Sequence, residues 1–448
     1  MPGSDPGFTA AKPCLPAETL PRSSADIVDY AKSLDCIHCG LCLQTCPTFR
    51  LTGAEPSSPR GRIHLMRALG EQRLVLDADF ADEMEFCLLC RHCESVCPAG
   101  VQFGAMMEFT RDALARERPG ELRRRCLRWL GFRVVLPSRL VLRLSASLLR
   151  MAQLLRLDRL ADRLSDRGLR HLPRVPPLSA RRLLPRRVAA EGAQVAEVAL
   201  LQGCVMPELH ARVNRATVRS LARLGIATRV PSSIVCCGSL SAHNGDLAGA
   251  RDLARLLIAA FEAEGDASGR PLPVVVNSAG CGAHLKVLHH LFAPDDPWHA
   301  RAEAVARRVQ DYSQLVAPRL AQAARTMRAP ALEQPVTWDD PCHLCHGQKV
   351  RAEPRAILDR VAGLARVELP DSEACCGSAG IYSLLRPEAS RAVFAKKLAD
   401  LERSGAHTVV TANPGCQLQW ESGLARAGSG VRVLHLAELV DAALAAGD

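Results

Sequence analysis

Cys36-Ile-His-Cys39-Gly-Leu-Cys42-Leu-Gln-Thr-Cys46-Pro47 and, after a spacer, Cys87-Leu-Leu-Cys90-Arg-His-Cys93-Glu-Ser-Val-Cys97-Pro98 are the stretches on which the reading of this chain turns. Each runs C-x2-C-x2-C-x3-C-P, a pattern in which three thiolates hold one 4Fe-4S cluster and the fourth reaches across to the other. By that crossed rule Cys36, Cys39, Cys42 and Cys97 serve one cluster, and Cys87, Cys90, Cys93 and Cys46 the second. Structural zinc is the competing use of clustered cysteines. It usually pairs two C-x2-C knuckles across a loop and has no use for a fourth cysteine followed by proline. Two [4Fe-4S] clusters are the expectation.

Between the two runs, Ser57-Ser58-Pro59-Arg60-Gly61-Arg62 leads into a helical pattern of Ile63, Leu65, Met66 and Leu69, and a second helix is expected from Asp79 to Phe86. That spacer is longer than in a compact two-cluster ferredoxin, so the runs are placed in an α-helical ferredoxin domain over residues 25–110. A short helix capped by Ser24 or Asp26 and running through Ala31 should deliver the chain to Cys36. Arg60 and Arg62 have two readings: they face the anionic clusters or a partner, or they form a solvated helix start. Residues 1–24, with scattered Pro, Gly and Ser, read as a flexible leader in which Cys14 is a bystander.

A chain of 448 residues is too long for one core, and its length suggests about three domains. Its 19 cysteines cluster at C-x2-C and Cys-Cys spacings, unlike a disulfide framework, which fits a reducing compartment with thiolates committed to metal. No signal peptide is apparent and no stretch reaches the ~18 apolar residues that span a bilayer. The expected location is cytoplasmic, with peripheral attachment at the inner face of the cytoplasmic membrane as the variant. The net charge of +10 is local: residues 111–190 carry 21 Arg and no Lys against 6 acidic residues. No nucleic-acid partner is read from it.

That segment, 111–190, reads as a basic amphipathic helical linker. Leu140, Leu144, Leu148, Met151 and Leu155 recur at helical spacing, while Arg139, Arg143 and Arg150 take another face. The first expectation is a connector whose leucines cover the neighbouring domains. The second is a helix lying on an anionic membrane surface or an acidic partner. Cys126, among Arg123, Arg124, Arg125 and Arg128, reads as a free thiol, and Pro173, Pro176, Pro177 and Pro185 mark the end of the linker.

Beyond it strands and helices alternate. A strand over Val195 to Leu201 ends near Cys204, a helix covers Glu208 to Leu224, and a strand over Ile226 to Val230 precedes Cys236-Cys237-Gly238. A helix over Leu247 to Glu264 and a strand at Val274 to Val276 then lead to Cys281. The same grammar returns: Val336 to Trp338 before Cys342, a helix over Pro354 to Leu364, a strand over Ala365 to Leu369, Cys375-Cys376-Gly377, a helix over Pro387 to Arg403, and His407 to Thr411 before Cys416. The offsets between matching cysteines, 138, 139 and 135 positions, identify a duplication. The fold class is thus α+β multidomain: the helical ferredoxin domain, then two duplicated α/β cysteine-rich domains over 191–325 and 326–448.

Loops at the strand ends of such a sheet converge, so Cys204, Cys236, Cys237 and Cys281 can meet, as can Cys342, Cys375, Cys376 and Cys416. Adjacent cysteines diverge in extended chain, and turning both inward calls for the glycine that follows each pair. A further iron-sulfur cluster in these repeats competes with a redox disulfide, a zinc site, or burial of small apolar thiols. His243 and His343 are candidate proton carriers or cluster neighbours, against ordinary structural histidines.

These phrases, with His243-Asn244-Gly245-Asp246, Asn277-Ser278-Ala279-Gly280-Cys281-Gly282, Asp340-Pro341-Cys342-His343-Leu344, Cys375-Cys376-Gly377-Ser378-Ala379-Gly380 and Asn413-Pro414-Gly415-Cys416, resemble the paired CCG domains of the heterodisulfide reductase and glycolate oxidase superfamily. Joined to the two-cluster module, and over Asp35 to Val440, the chain resembles the iron-sulfur subunits of the glycolate oxidase (glycolate dehydrogenase) family. The resemblance implies an electron-transfer subunit that receives electrons from a flavin-containing dehydrogenase subunit oxidising glycolate to glyoxylate and passes them to a quinone or other acceptor. Two departures stand out. Relatives of the heterodisulfide type end a repeat with C-x2-C, whereas Cys281 precedes Gly282-Ala283-His284 and Cys416 precedes Gln417-Leu418-Gln419, so the unusual non-cubane cluster is not carried over. Cys345 adds a C-x2-C with Cys342 and is not assigned as a ligand.

Neither G-x-G-x-x-G nor G-x-x-x-x-G-K-[ST] occurs at a strand end, so no flavin or NAD is expected on this chain, and no catalytic residue for substrate oxidation. Alternatives are the equivalent subunit of a lactate or glycerol 3-phosphate dehydrogenase, a disulfide reductase of the heterodisulfide type, or a zinc-bound scaffold.

Overall fold

The computed structural model describes residues 27–117, 122–157, 173–231, 233, 236–322 and 325–447. The leader, Cys14 and the proposed caps Ser24 and Asp26 lie outside them. The first described helix is Tyr30–Ser33, capped instead by Asp29, whose carboxylate accepts from the Lys32 amide at 3.2 Å. Ile27 and Val28 are buried ahead of it, so the helix begins only after the chain leaves the core.

The two cysteine runs are scaffolded by helices. Ser58 caps Pro59–Gly70 by accepting from the Gly61 amide at 2.9 Å, with Pro59 in the first turn where its missing N–H costs nothing. Asp77 caps Ala78–Phe86 in the same way. These helices and Phe103–Glu117 bury Ile63, Met66, Leu69, Phe80, Met84, Met106 and Met107 in one core, at roughly 1.5–3 kcal/mol for each large side chain.

Five strands form the first sheet: β1 (Arg187–Val188), β2 (Ala196–Leu201), β3 (Ile226–Arg229), β4 (Val274–Val276) and β5 (Val309–Asp311), in the order β1-β3-β2-β4-β5. Only β1 is antiparallel. The chain continues through β6 (Met327–Arg328), β7 (Val336–Trp338), β8 (Val361–Ala362), β9 (Arg366–Val367), β10 (Thr408–Thr411) and β11 (Arg432–His435). Of these, β11-β10-β7-β9 make a second, parallel sheet and β6 pairs with β8. The orders β3-β2-β4-β5 and β9-β7-β10-β11 are equivalent, so the duplication read from cysteine offsets is a duplication of topology. Helix Ala211–Arg223 packs on Leu436–Gly447, and Tyr312–Gln322 on Ala352–Asp359, so the repeats share one core containing Val198, Leu221, Trp338, Val410 and Leu439.

Several expected elements are shorter. Helix Glu208 to Leu224 breaks at His210, whose φ of −129° and ψ of 38° are not helical, into Met206–Leu209 and Ala211–Arg223. The helix expected over Pro354 to Leu364 is Ala352–Asp359, and the strand after it only Arg366–Val367.

The linker corrects the first expectation for its leucines. Helix Arg139–Leu154, capped by Ser138, leaves Leu140 68% and Leu148 72% exposed, with Leu144, Met151 and Leu155 exposed beside them. Its inner face buries Leu142 and is otherwise a mixture of half-buried apolar and polar side chains, several of them anchored by hydrogen bonds. Arg150 donates to Val175 O at 2.7 Å, and Arg181 donates to Ser147 Oγ at 2.9 Å and to Glu208 at 2.8 Å. Guanidinium groups find fixed acceptors on the body of the protein, and the leucines are left facing out.

Candidate metal centres

In the cysteine runs, backbone conformation repeats with the spacing. His38 and Leu89, each two residues after the first cysteine, have φ of 55° and 52°; Gly40 and Arg91, each following the second cysteine, have φ of 82° and 62°. Left-handed positions inside a short loop turn successive N–H groups to one side, which suits an anionic group in the concavity. Arg91 bears this strain with a side-chain anchor: it donates to Glu94 at 2.8 Å, and Glu94 accepts from the Gly104 amide at 2.6 Å.

Cys36, Cys39, Cys42 and Cys97 line one cavity, with Cys93 in its wall. Arg60 lies on the same cavity and donates to His38 O at 3.1 Å while forking onto Glu55. The second set is deeper. Cys46, Cys87 and Cys90 are each close enough to act electrostatically on Cys93, which burial pushes well above the ordinary thiol range. Burial also raises Cys46, and the fully buried Arg62 opposes it. Arg62 donates to Thr48 Oγ1 at 3.1 Å and Ser57 O at 2.9 Å, the groups that also contact Cys46. The reading of Arg62 as part of a solvated helix start is thereby overturned: both arginines face the cysteines. Buried thiols are disfavoured as thiolates without a cation, and this donor set of sulfur atoms, N–H groups and arginines fits an iron-sulfur cluster.

In the first repeat Cys204 follows β2, the pair follows β3 and Cys281 follows β4, where the strand order reverses. Cys204, Cys236 and Cys237 are close enough to influence one another electrostatically, and Cys237 Sγ lies 3.1 Å from Cys281 Sγ. The second repeat does the same: Cys342 and Cys376 both act on Cys375, and Cys376 Sγ lies 3.3 Å from Cys416 Sγ. Gly238 and Gly377, at φ of 89° and 83°, make the turns that bring both members of each pair inward. Cys345 is buried apart from this arrangement, its Sγ 3.8 Å from Cys342 O, and burial raises its thiol far above the usual range. Cys126 is exposed.

The sets adjoin. Cys90 of the ferredoxin-like module and Cys375 of the second repeat lie in one buried cluster. His343 Nε2 meets Leu89 O at 2.8 Å, in the loop between Cys87 and Cys90. Arg111 binds Cys87 O at 2.5 Å and His243 O at 2.8 Å, and the His243 ring meets Glu108 at 2.5 Å and Ser239 at 3.0 Å. Both histidines singled out in the sequence are therefore hydrogen-bonded at the junction. Arg111 and Glu108 carried no motif and were missed, as was His284. Its Nε2 has no hydrogen-bond partner among the described residues, and burial lowers its pKa to about 4. A second cavity beside Cys204 is walled by Arg139, Leu142, Arg143, Leu183 and Pro207. No described helix is long and apolar enough to cross a membrane.

Comparison with known proteins agrees with this partition. A family described as "4Fe-4S dicluster domain" matches residues 32–101, and one described as "Cysteine-rich domain" matches 198–286 and 336–421. The chain is 35% identical over 428 residues to the probable glycolate oxidase iron-sulfur subunit of Bacillus subtilis (strain 168), covering 92% of this chain and 94% of that protein. It is 32% identical over 413 residues to the glycolate oxidase iron-sulfur subunit of Escherichia coli (strain K12), covering 91% and 93%. Lactate utilization protein A of Geobacillus kaustophilus is 30% identical over 246 residues, 55% of this chain and 99% of that protein. This chain, an iron-sulfur protein with two duplicated cysteine-rich domains, belongs to the glycolate oxidase iron-sulfur subunit family.

Proposed function

We propose that this chain is the electron-transfer subunit of a flavin-dependent 2-hydroxyacid dehydrogenase complex, with glycolate as the donor oxidised on a partner flavoprotein and a quinone or similar acceptor at the far end. The observation that carries the reading is the packing of cysteine sets against one another, at Cys90 and Cys375, in a chain alike over nearly its whole length to glycolate oxidase iron-sulfur subunits. Cys36, Cys39, Cys42 and Cys97 would hold one [4Fe-4S] cluster, and Cys46, Cys87, Cys90 and Cys93 the other. Cys204, Cys236, Cys237 and Cys281, with Cys342, Cys375, Cys376 and Cys416, would hold further iron-sulfur centres. Bound there, such clusters supply one-electron transfer, which divides the two-electron output of a flavin.

The chain's own residues set the conditions. Arg60 and Arg62 place positive charge against the ferredoxin-like cysteines, and Arg111 and His343 fix the loop between Cys87 and Cys90 to the repeats. Burial of the second cysteine set excludes water. The arginine-walled cavity beside Cys204 suits an acceptor with an apolar body and carbonyl oxygens, and the outward leucines of Arg139–Leu154 suit an anionic bilayer surface.

The test is anaerobic purification with the flavoprotein. The complex should be brown, carry iron beyond the about eight atoms of two cubane clusters, and reduce a dye with glycolate. Dye reduction by the flavoprotein that is unaffected by adding this chain, together with zinc in place of iron, would sink the proposal.

A further inference from the structure

The two repeats are not chemically equal. Three residues after its last cysteine, the first repeat has His284 and the second has Gln419. Gln419 is satisfied: its Nε2 donates to Ser390 Oγ at 3.2 Å. His284 is only 6% exposed, and its Nε2 lacks a hydrogen-bond partner among the described residues. That nitrogen sits at the Cys236-Cys237-Gly238 turn: a Cβ on Gly238 would lie 3.5 Å from it. Cys281 and His284 share the short helix Ala279–Leu285, one turn apart and therefore on one side of it. The His284 ring also stands edge-on to His243, at 6.3 Å between centroids, and His243 is held by Glu108.

We infer that His284 is a fifth protein donor of the first cysteine-rich centre, so that this centre joins an imidazole to Cys204, Cys236, Cys237 and Cys281 while the second repeat offers thiolates alone. The inference rests on the proposal that the first repeat holds iron. A buried imidazole nitrogen without a partner costs stability, and a metal that takes its lone pair removes that cost. The spacing Cys281-x2-His284 occupies the place of a C-x2-C, with nitrogen in the role of the second sulfur. An imidazole adds a donor without adding negative charge to a buried site already holding thiolates. Where imidazole stands in place of a thiolate the reduction potential of an iron-sulfur centre is higher, so His284→Cys would lower the potential of the first centre.

The test uses the full chain, purified anaerobically with 15N-labelled histidine, and reads pulsed-EPR nitrogen couplings beside iron content. The expected result is a directly coordinated histidine nitrogen in the wild type, absent in His284→Gln and retained in Gln419→Ala. His284→Cys, which keeps a donor at the same turn, should retain the iron, lose the nitrogen coupling and lower the potential of one centre. Iron beyond the about eight atoms of two cubane clusters with no coordinated nitrogen, or with a coupling that survives in both His284 variants, overturns the inference alone. Iron that never exceeds those atoms overturns the first-repeat centre and the inference with it.

Discussion

Gly377 and Gly238 occupy matching turns but differ in what surrounds them. A Cβ on Gly377 would lie 2.6 Å from the carbonyl oxygen of Ser390, whereas the nearest atom to one on Gly238 is Ala250 O at 3.4 Å. Alanine at either position pays the left-handed penalty of about 1–2 kcal/mol; only at Gly377 is a backbone clash added, for a total of roughly 2–4 kcal/mol. Chemical denaturation of Gly377→Ala and Gly238→Ala should show that inequality, and equal losses would mean that the second turn can yield. Nearby, Lys397 Nζ lies 2.7 Å from Asp339 Oδ1 with both side chains 1% exposed. Lys397→Met should cost about 3–5 kcal/mol by stranding a buried carboxylate, and adding Asp339→Leu should recover most of it. A single variant of near wild-type stability would show that Asp339 is already neutral. Neither effect is visible in the sequence, because Lys397 and Asp339 meet only through packing of helix Pro387–Ser404 on the second sheet.

At the scale of the element, the helix Arg139–Leu154 shows how far periodicity reaches. Leucine and arginine spacing makes it amphipathic, but which face turns inward depends on what the body offers. Here it offers Val175 O to Arg150, and Glu208 to the Arg181 that also holds Ser147, so the leucines stay outside. Leu144→Asp with Leu148→Asp should leave stability within about 0.5 kcal/mol, since both residues are exposed, while abolishing flotation of the full chain with anionic vesicles. Flotation retained by the variant would show that another surface meets the bilayer, absence of flotation for the unmutated chain would remove the bilayer from the proposal, and a large stability loss would mean that these leucines are covered in the native assembly. Loop conformation is more local. The left-handed positions at His38 and Gly40 recur at Leu89 and Arg91 because equal cysteine spacing around a common kind of ligand demands equal turns.

For the whole molecule, the important division is between what metal organises and what apolar packing organises. Ferredoxin-like residues 27–117 combine a modest core with eight cysteines, whereas the two repeats share a continuous core of buried aliphatic and aromatic side chains. Stripping iron with a chelator under reducing conditions should therefore raise amide hydrogen exchange first across 36–97, with β2, β4, β7 and β10 still protected. Simultaneous loss of protection in both parts would show that the junction at Arg111, at His343 and at Tyr382, whose hydroxyl donates to Phe86 O at 3.2 Å, makes one cooperative unit.

The sequence by itself determined the cysteine runs, the α/β alternation and the duplication, because cysteine spacing, strand patterning and repeat offsets are local or strictly periodic properties. Tertiary structure alone decided that Cys90 meets Cys375, that Arg111 and Glu108 belong to the junction, and that His284 rather than Gln419 turns an unpaired nitrogen toward a cysteine turn. Such contacts join residues far apart along the chain, and the reason is physical: a side chain's partners are set by which sheet edges and helix faces pack together, and no spacing along one segment encodes that.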